Sequence, residues 1–290
     1  MESKEDFLGI SYTLFAVLLW SIIGIFVRWI PEVNSGMIVF YRFLFATIVL
    51  LVYGIIFKKS ESMKIKAKDI PYLLVPAILL SFTIYTYTIG LKTTTIANTV
   101  FLQQMAPLYV LVISAFLLKE KASKKTVLSV LVGITGGFII FYYDLSTMNV
   151  SSNFYGNVMS TLSGFGWALY TISIRALGKR YDGLTTTLWM FLFASVIMSP
   201  FFVGSEILTP FSLLMLFLLG FLCTAGAFLL YSIALKHLVA TKASVIILAE
   251  GVLAGILAYF ILGETVTQGT IIGGALILLA IGIISRDKEK

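Results

Sequence analysis

Ten apolar stretches of about 20 residues run through the chain, and short polar connectors separate each stretch from the next. A helix needs about 20 mostly apolar residues to cross the hydrocarbon core of a bilayer, so each stretch is predicted to be a membrane-spanning helix. The predicted spans cover residues 9–27, 35–57, 70–91, 94–118, 125–143, 154–177, 184–203, 211–235, 239–262 and 267–285. The longest polar connector, residues 58–69, is too short to hold a soluble domain. The pattern therefore predicts an all-α integral membrane protein.

The second half of the chain repeats the first. The matched positions are Gly9 with Gly156, Trp20 with Trp167 and Arg28 with Arg175 at an offset of 147 residues, residues 43–46 with 191–194 at 148, and Tyr87 with Tyr231 and Glu120 with Glu264 at 144. Five spans per half is an odd number, so the second half must enter the membrane from the opposite side. The two five-helix repeats are therefore predicted to be inverted, an arrangement typical of secondary transporters whose halves rock about a site between them.

Composition supports the membrane assignment. Hydrophobic residues make up 59% of the 290 residues and charged residues 12%, whereas soluble domains average roughly 45–50% and about 25%. Most of the net charge of +7 lies in the connectors, where it sets orientation, so nucleic acid is excluded and the lipid bilayer is the expected partner. Cys223, the only cysteine, lies in an apolar stretch, which leaves no intramolecular disulfide and no cysteine zinc site. Neither a metal nor a cofactor is predicted.

Lysine and arginine residues concentrate in alternate connectors. They follow spans two, four and six and form the C-terminal tail, whereas residues 144–153, 204–210 and 263–266 contain none. Cytoplasmic connectors carry the excess of Lys and Arg, so both termini are predicted to lie in the cytoplasm of a multi-pass cell-membrane protein. The first seven residues carry three acids against one lysine, unlike the start of a signal peptide, so the first span is expected to remain in the mature protein.

Two charged residues lie deep inside predicted spans. Glu250 is eleven residues into its span, near the bilayer midplane, and Arg42 is seven residues into the second span. A charge at the centre of a spanning helix costs roughly 2.5–3.5 kcal/mol, so such residues usually face a cavity or a partner and mark substrate or proton pathways. Arg42 either clamps an anionic substrate group or neutralises Glu250 as a gate or structural tie. The sequence leaves both interpretations open.

Polar amides interrupt the fourth predicted span. Asn98, Gln103 and Gln104 lie there, and Pro107 lacks the N–H group that would bond the carbonyl of Gln103. A freed carbonyl beside polar amides suits the wall of a substrate cavity. Interhelical hydrogen bonds together with a proline kink explain the same residues without a cavity.

Aromatic residues occupy equivalent mid-span positions in the two halves. Trp20 lies eleven residues and Trp167 thirteen residues after the start of its span, away from the interfacial belt that tryptophan usually favours. They are therefore candidates for lining a central cavity, with Tyr87 and Tyr231 as companions. Aromatic residues form 14% of the chain, so ordinary packing is the alternative explanation.

Three short motifs resemble EamA-type members of the drug/metabolite transporter superfamily. Residues 41–46, Tyr-Arg-Phe-Leu-Phe-Ala, are similar to that family's arginine-containing second span, and residues 106–108 followed by 116–121 look like its fourth span with a closing glutamate. Residues 260–265 close the ninth span in the same way. The resemblance covers almost the whole chain. It implies ten helices in two repeats, residues 1–145 and 153–290, with a substrate path between them and movement of small metabolites such as amino acids, most often as export. The family commonly has Glu-Pro in the ninth span, where this chain has Glu250 followed by Gly251.

The leading hypothesis is a secondary transporter that works by alternating access, with a homodimer as an alternative to a monomer. A membrane-embedded enzyme would need a nucleophile with its base or a ligand cluster, and the sequence has a single histidine and no such motif. A structural or interaction protein is the other alternative, but a scaffold has no evident need for the intramembrane Arg42 and Glu250. No phosphate-binding Gly-x-x-x-x-Gly-Lys-[Ser/Thr] motif is present, which excludes ATP coupling within this chain.

Overall fold

The regular structure is helical throughout the described part of the chain. The structure is a computed structural model that describes residues 2–57, 63–118, 124–146, 150–177, 181–202, 208–237, 246–247 and 249–285. The helices are α1 (Glu2–Ser21), α2 (Ile23–Arg28), α3 (Ser35–Ile56), α4 (Ile70–Thr93), α5 (Ile96–Gln103), α6 (Ala106–Leu118), α7 (Lys124–Ser146), α8 (Val150–Leu177), α9 (Gly183–Met198), α10 (Pro210–Leu218), a π-helical segment (Leu219–Gly226), α11 (Ala227–His237), α12 (Ala249–Leu262) and α13 (Gln268–Ser285).

Five helical stretches are long and apolar enough to cross a membrane. They are Phe7–Arg28, Ser35–Ile56, Ala67–Thr93, Gly183–Phe201 and Pro210–Ala234, and they match predicted spans one, two, three, seven and eight. Three shorter apolar helices, Val127–Tyr143, Ala249–Leu262 and Gln268–Ile283, match predicted spans five, nine and ten. The start of the predicted ninth span, at residues 239–245, lies outside the described residues. These apolar helices support the predicted multi-pass membrane protein.

Side-chain caps begin several of the helices. The first backbone N–H groups of a helix lack intrahelical acceptors, and a Ser, Thr, Asn or Asp oxygen at the preceding residue satisfies one of them. Here the accepting side chain and the donating N–H are always three residues apart. The pairs are Asn34 with Met37 (2.8 Å), Thr95 with Asn98 (3.2 Å), Asp182 with Thr185 (2.7 Å), Thr209 with Ser212 (3.1 Å) and Thr267 with Thr270 (3.1 Å).

Helix packing follows the internal repeat. α4 packs along α8, and the equivalent pair from the exchanged halves, α11 and α1, packs in the same way. Helices at corresponding positions also face each other, namely α3 with α9, α5 with α12, and α7 with α13. Exchanging the two halves therefore maps these five helix contacts onto one another, as a pseudo-twofold relation requires.

Glycine permits the closest of these approaches, between α7 and α13. A Cβ atom placed on Gly136 would lie 2.6 Å from the carbonyl oxygen of Gly273, and one on Gly273 would lie 2.5 Å from that of Gly136. No side chain fits at such distances, so the two backbones meet directly.

Two ends of the bundle can be distinguished by the contacts of their described connectors. At one end, called the Arg28 end, the Lys92 ammonium donates to the carbonyls of Pro31 (2.8 Å) and Val33 (2.6 Å). At the opposite end, called the Lys66 end, the indole of Trp189 donates to the Met63 carbonyl at 2.7 Å. The two ends hold different chemistry, and each is described below.

Candidate functional site

The side chain of Arg42 is buried in the bundle, with 3% of its surface exposed. It lies on α3, and its Nε atom donates a 2.6 Å hydrogen bond to the hydroxyl of Thr224 in the π-helical segment. That hydroxyl donates in turn to the carbonyl of Leu219, five residues earlier, at 2.9 Å. π-Helical turns occur often at functional sites. Here the turn brings a neutral acceptor from the second half of the chain to a buried cation on the first half.

Glu250 lies in the first turn of α12 and is 9% exposed. Its carboxyl and the buried phenol of Tyr87 lie within electrostatic range of the Arg42 guanidinium. Among the described residues, however, Arg42 and Glu250 form no ion pair. The next residue lets α12 approach α5, because a Cβ on Gly251 would lie 2.7 Å from the ring of Phe101. The three polar groups thus face one another without a direct salt bridge in this conformation.

The fourth predicted span is broken into α5 and α6 at Gln104 and Met105. Pro107 predicts an interruption of this span, and the break lies two residues before it. The carbonyl of Gln103 faces α8, because a Cβ on Gly164 would lie 2.9 Å from its oxygen. Close packing therefore occupies the position where the sequence analysis predicted either a cavity wall or a kink.

The two glutamines at this break have different surroundings. Gln103 donates a 2.9 Å hydrogen bond to the hydroxyl of Ser163 on α8. The amide nitrogen of Gln104 makes only a long contact of 3.4 Å with the Ile247 carbonyl, and its Oε1 atom is buried with no hydrogen-bond partner in the described structure. A buried acceptor without a donor costs about 1–3 kcal/mol. Gln104 is therefore available to a ligand donor, whereas Gln103 is already satisfied.

Trp20 and Trp167 lie at equivalent helix interfaces and do not meet. Trp20 makes edge contacts with Phe228 and Tyr231 of α11, at centroid distances of 5.8 and 5.6 Å. Trp167 on α8 packs beside Tyr170 at 5.3 Å, within a different apolar cluster. The structure thus joins two of the aromatic candidates, Trp20 and Tyr231, across the two halves of the chain.

A polar network that the sequence analysis did not predict closes the Arg28 end. The guanidinium of Arg28 forms a 2.9 Å ion pair with Glu264 and also donates to the carbonyl of Thr94. The second oxygen of Glu264 accepts a 2.9 Å bond from the Ile96 N–H, at the start of α5. Gly263, at φ 66°, turns the chain after α12 so that the glutamate reaches these partners. We call Arg28, Thr94, Ile96 and Glu264 the Arg28 latch.

Asn98 belongs to this end of the bundle and not to the region of Gln104. Its side-chain oxygen accepts a 2.6 Å bond from the Thr270 hydroxyl, and its amide nitrogen lies 3.4 Å from Asn157. Asn157 also accepts a 2.8 Å bond from the hydroxyl of Thr94. The cavity wall predicted to hold Asn98 with the two glutamines is therefore divided between two regions.

The internal sequence repeat had already singled out two residues of the Arg28 latch. Arg28 and Glu264 are both repeat-matched residues, with Arg175 and Glu120 as their counterparts. Their contact joins positions far apart in sequence, so spacing within a motif cannot reveal it. A cleft of about 510 Å³ lies beside the latch, and Lys92 and Asn153 contribute to its lining.

The described part of the chain places no metal-ligand cluster and no histidine in the Arg42 region or in the latch. Within the described ranges, no group of three or more His, Cys, Asp or Glu side chains is placed to hold a metal ion. His237 stacks on Tyr12 at 6.4 Å, and Cys223 is buried.

Comparison with known proteins accounts for the two halves. A model of the EamA-like transporter family matches residues 7–142 and matches again at residues 154–286. The chain belongs to the EamA-like transporter family. One similar protein, an uncharacterized transporter of Archaeoglobus fulgidus, is 25% identical over the full length of both chains. Another, the uncharacterized inner membrane transporter YicL of Salmonella typhimurium, is 25% identical over 97% of this chain and 96% of its own.

The fold is also found among solved structures. One crystal structure covers 99% of this chain and all of its own chain, with a TM-score of 0.66 at 18% identity. At that identity the likeness concerns the fold alone. Family membership and the apolar helices together identify a multi-pass membrane transporter of the EamA-like family.

Proposed function

We propose that the protein is a secondary transporter of ten spans, with both termini in the cytoplasm, that exports small amino-acid-like solutes. The halves at residues 1–145 and 153–290 move against each other as inverted repeats in alternating access. The observation that carries the proposal is the buried guanidinium of Arg42, on the first half, held by a neutral hydroxyl from the second half. Such a placement puts a cation at the moving interface.

The neutral partner favours substrate binding over a structural tie. A buried cation is stabilised by a counter-charge, and removing water from it without one is costly. Thr224 supplies a hydrogen bond but no charge. A substrate carboxylate that replaces Thr224 at Arg42 would supply both, with charge-assisted hydrogen bonds. We assign Arg42 to the carboxylate of the solute.

Glu250 and Gln104 complete the proposed site. The unpaired oxygen of Gln104 and the carboxyl of Glu250 flank Gly251, and both accept hydrogen bonds. They suit the ammonium group of a solute whose carboxylate is held by Arg42. Tyr87 and Trp20, which pack in the same apolar cluster, supply its apolar boundary.

The Arg28 latch acts as the gate of one access state. Its ion pair joins α2 of the first half to the end of α12 in the second half. Opening this end for solute passage requires the pair to separate. The Nε atom of Arg28 is buried without an acceptor among the described residues, so closure leaves a donor unsatisfied. A contact of this kind is reversible and suits a gate.

Counterflow in proteoliposomes tests the function. Purified protein is reconstituted with unlabelled amino acids inside, and the uptake of a labelled panel is measured. We expect at least one zwitterionic solute to accumulate with the wild type and not with empty liposomes. A panel of zwitterionic, anionic and cationic solutes without any counterflow, in protein that remains monodisperse, would contradict transport of this class and favour an interaction protein.

A further inference from the structure

The connector at the Lys66 end carries a regular row of cations. Lys64, Lys66 and Lys68 alternate along the chain and are exposed. The residues that bound the row, Met63 and Asp69, are buried, with 8% and 7% of their surfaces exposed. The described part of this connector, residues 63–69, is therefore anchored at both ends and has a basic outer face.

Side chains of the second half hold this connector in place. The Tyr181 hydroxyl accepts a 2.9 Å bond from the backbone N–H of Lys66 and donates a 2.7 Å bond to the carboxylate of Asp69. Trp189 fastens the Met63 carbonyl, as described above, and Met63 itself packs over Gly54. The lysines are thus presented from an ordered backbone, which reduces the entropy lost when a ligand binds.

These residues surround a cleft of about 570 Å³, lined by Lys66, Lys68, Asp69, Tyr72 and Tyr181. We call it the basic cleft. Two acids lie close to it, and both are engaged. Asp69 holds the hydroxyl of Tyr181, and the carboxylate of Asp182 caps α9 by accepting from the Thr185 N–H at 2.7 Å. Within residues 63–69 and 181–202, Lys66 and Lys68 are therefore the charges that line the cleft and can meet a ligand.

An exposed apolar stripe runs from the cleft along α4. Tyr72, in the cleft, is 52% exposed, and Val75, Ile78 and Phe82 continue the same face with 53%, 48% and 40% exposed. Their spacing of three or four residues places them on one side of the helix. In a protein that spans a bilayer, such a stripe faces acyl chains, so the cleft at its end lies at the depth of the lipid headgroups.

We propose that the basic cleft binds the headgroup of an anionic phospholipid. Lys66 and Lys68 contact the phosphate, and an acyl chain lies along Tyr72 and Val75. Basic pockets beside spanning helices recognise anionic headgroups in this way. The lipid bridges the connector of the first half to Tyr181 of the second, so its binding stabilises the packing of the two halves at this end.

Lipid titration of purified protein in neutral detergent tests the proposal. Binding of phosphatidylglycerol and of phosphatidylcholine is followed by native mass spectrometry and by the shift in Tm. We expect the paired substitution Lys66→Gln with Lys68→Gln to weaken phosphatidylglycerol binding about tenfold. The matched control is Lys124→Gln with Lys125→Gln, which removes the same charge from exposed lysines at the start of α7 and is expected to change binding less than twofold.

Further variants distinguish a specific lipid site from nonspecific electrostatic attraction of anionic lipid and from loss of the fold. Lys66→Arg with Lys68→Arg keeps both charges and should bind within twofold of the wild type. Tyr181→Phe keeps every charge but releases the connector, and it should weaken binding several-fold. The proposal would be wrong if the Lys66→Gln with Lys68→Gln variant and its control lost the same amount of phosphatidylglycerol binding. It would also be wrong if the wild type bound phosphatidylglycerol and phosphatidylcholine equally. Displacement of the lipid by millimolar inorganic phosphate would show a free-phosphate site and would overturn the lipid assignment.

Discussion

Two arginines of the first half meet the second half in opposite ways. Arg28 is partly exposed, at 30% of its side chain, and has a carboxylate partner at 2.9 Å. Arg42 is buried and has a neutral hydroxyl partner at 2.6 Å. An ion pair open to water contributes about 0–1 kcal/mol, whereas a buried cation that makes no direct ion pair is costly. The first arrangement suits a contact that opens and closes. The second suits a site that awaits an anionic ligand.

Removing the buried cation should have the largest effect. Arg42→Ala is expected to lower counterflow roughly 100-fold, because losing one partner of a buried charged pair costs about 2–5 kcal/mol. Arg42→Lys keeps the charge but not the planar fork, and it should retain partial activity with a raised KM. The matched control is Thr224→Val, which removes only the neutral acceptor. Counterflow in Thr224→Val should remain within about tenfold of the wild type, and a Thr224→Val loss as large as that of Arg42→Ala would contradict the substrate role.

Glu250→Gln should have the next largest effect, and it separates binding from coupling. The substitution keeps the shape of the side chain and mimics the protonated acid. If Glu250 couples proton movement to transport, the variant loses gradient-driven transport and its pH dependence but keeps exchange. Transport is measured in proteoliposomes with and without a proton gradient. Wild-type behaviour at every pH and under each gradient would remove Glu250 from the mechanism.

Neutralising the latch should have a smaller effect that depends on the access state. Arg28→Gln and Glu264→Gln each remove the ion pair. The reporter is a cysteine in place of Asn98, in a Cys223→Ser background, which is labelled with an impermeant thiol reagent. We expect either glutamine substitution to increase this labelling two- to fivefold. The pair is partly exposed, so its coupling energy should be about 0.5–1 kcal/mol. The double substitution should resemble the single ones, because each already breaks the pair. Additive effects would mean that the two residues act separately.

The smallest expected effect concerns Glu32, which joins the same end through Ser212 of α10. The Ser212 hydroxyl donates to Glu32, and this bond, with the nearby Lys92 ammonium, lowers the pKa of the carboxyl below its ordinary value of 4.5. A lowered folded-state pKa stabilises the fold above the unfolded value, and that stabilisation is lost as the pH falls through the folded value. The Tm of the wild type should therefore fall slightly more than that of Glu32→Gln below about pH 4.5. Tm values of the two proteins that fall in parallel with pH would show that the Glu32 carboxylate does not stabilise the fold.

Helix positions followed from the apolar pattern because span length depends mainly on the bilayer. The second predicted span, residues 35–57, corresponds to Ser35–Ile56, and the third, residues 70–91, to Ile70–Thr93. The π-helical segment had no such signal, since its residues are as apolar as those of an ordinary span. In the structure it brings the hydroxyl of Thr224 to Arg42.

Contacts between distant residues were harder to predict than helices. The sequence marked Asn98 as a polar residue within a span but did not reveal its position along the bundle. The structure places it beside Thr270 at the Arg28 end. Arg28 and Glu264 were recognised as repeat markers without their pairing. A repeat reveals which positions correspond, whereas side-chain contacts depend on how the halves pack in one conformation.

A reversible lock at the Arg28 end tests the account most directly. Cysteines replace Arg28 and Glu264 in the Cys223→Ser background, and a short bis-methanethiosulfonate reagent joins them through two disulfide bonds that a reductant cleaves. Under the proposed alternating access this end must open, so the joined protein should lose counterflow and recover it after reduction. A protein with only one of the two cysteines should stay active. Counterflow that continues at the wild-type rate in fully joined protein would contradict the latch as a gate and the opening of the two halves at this end.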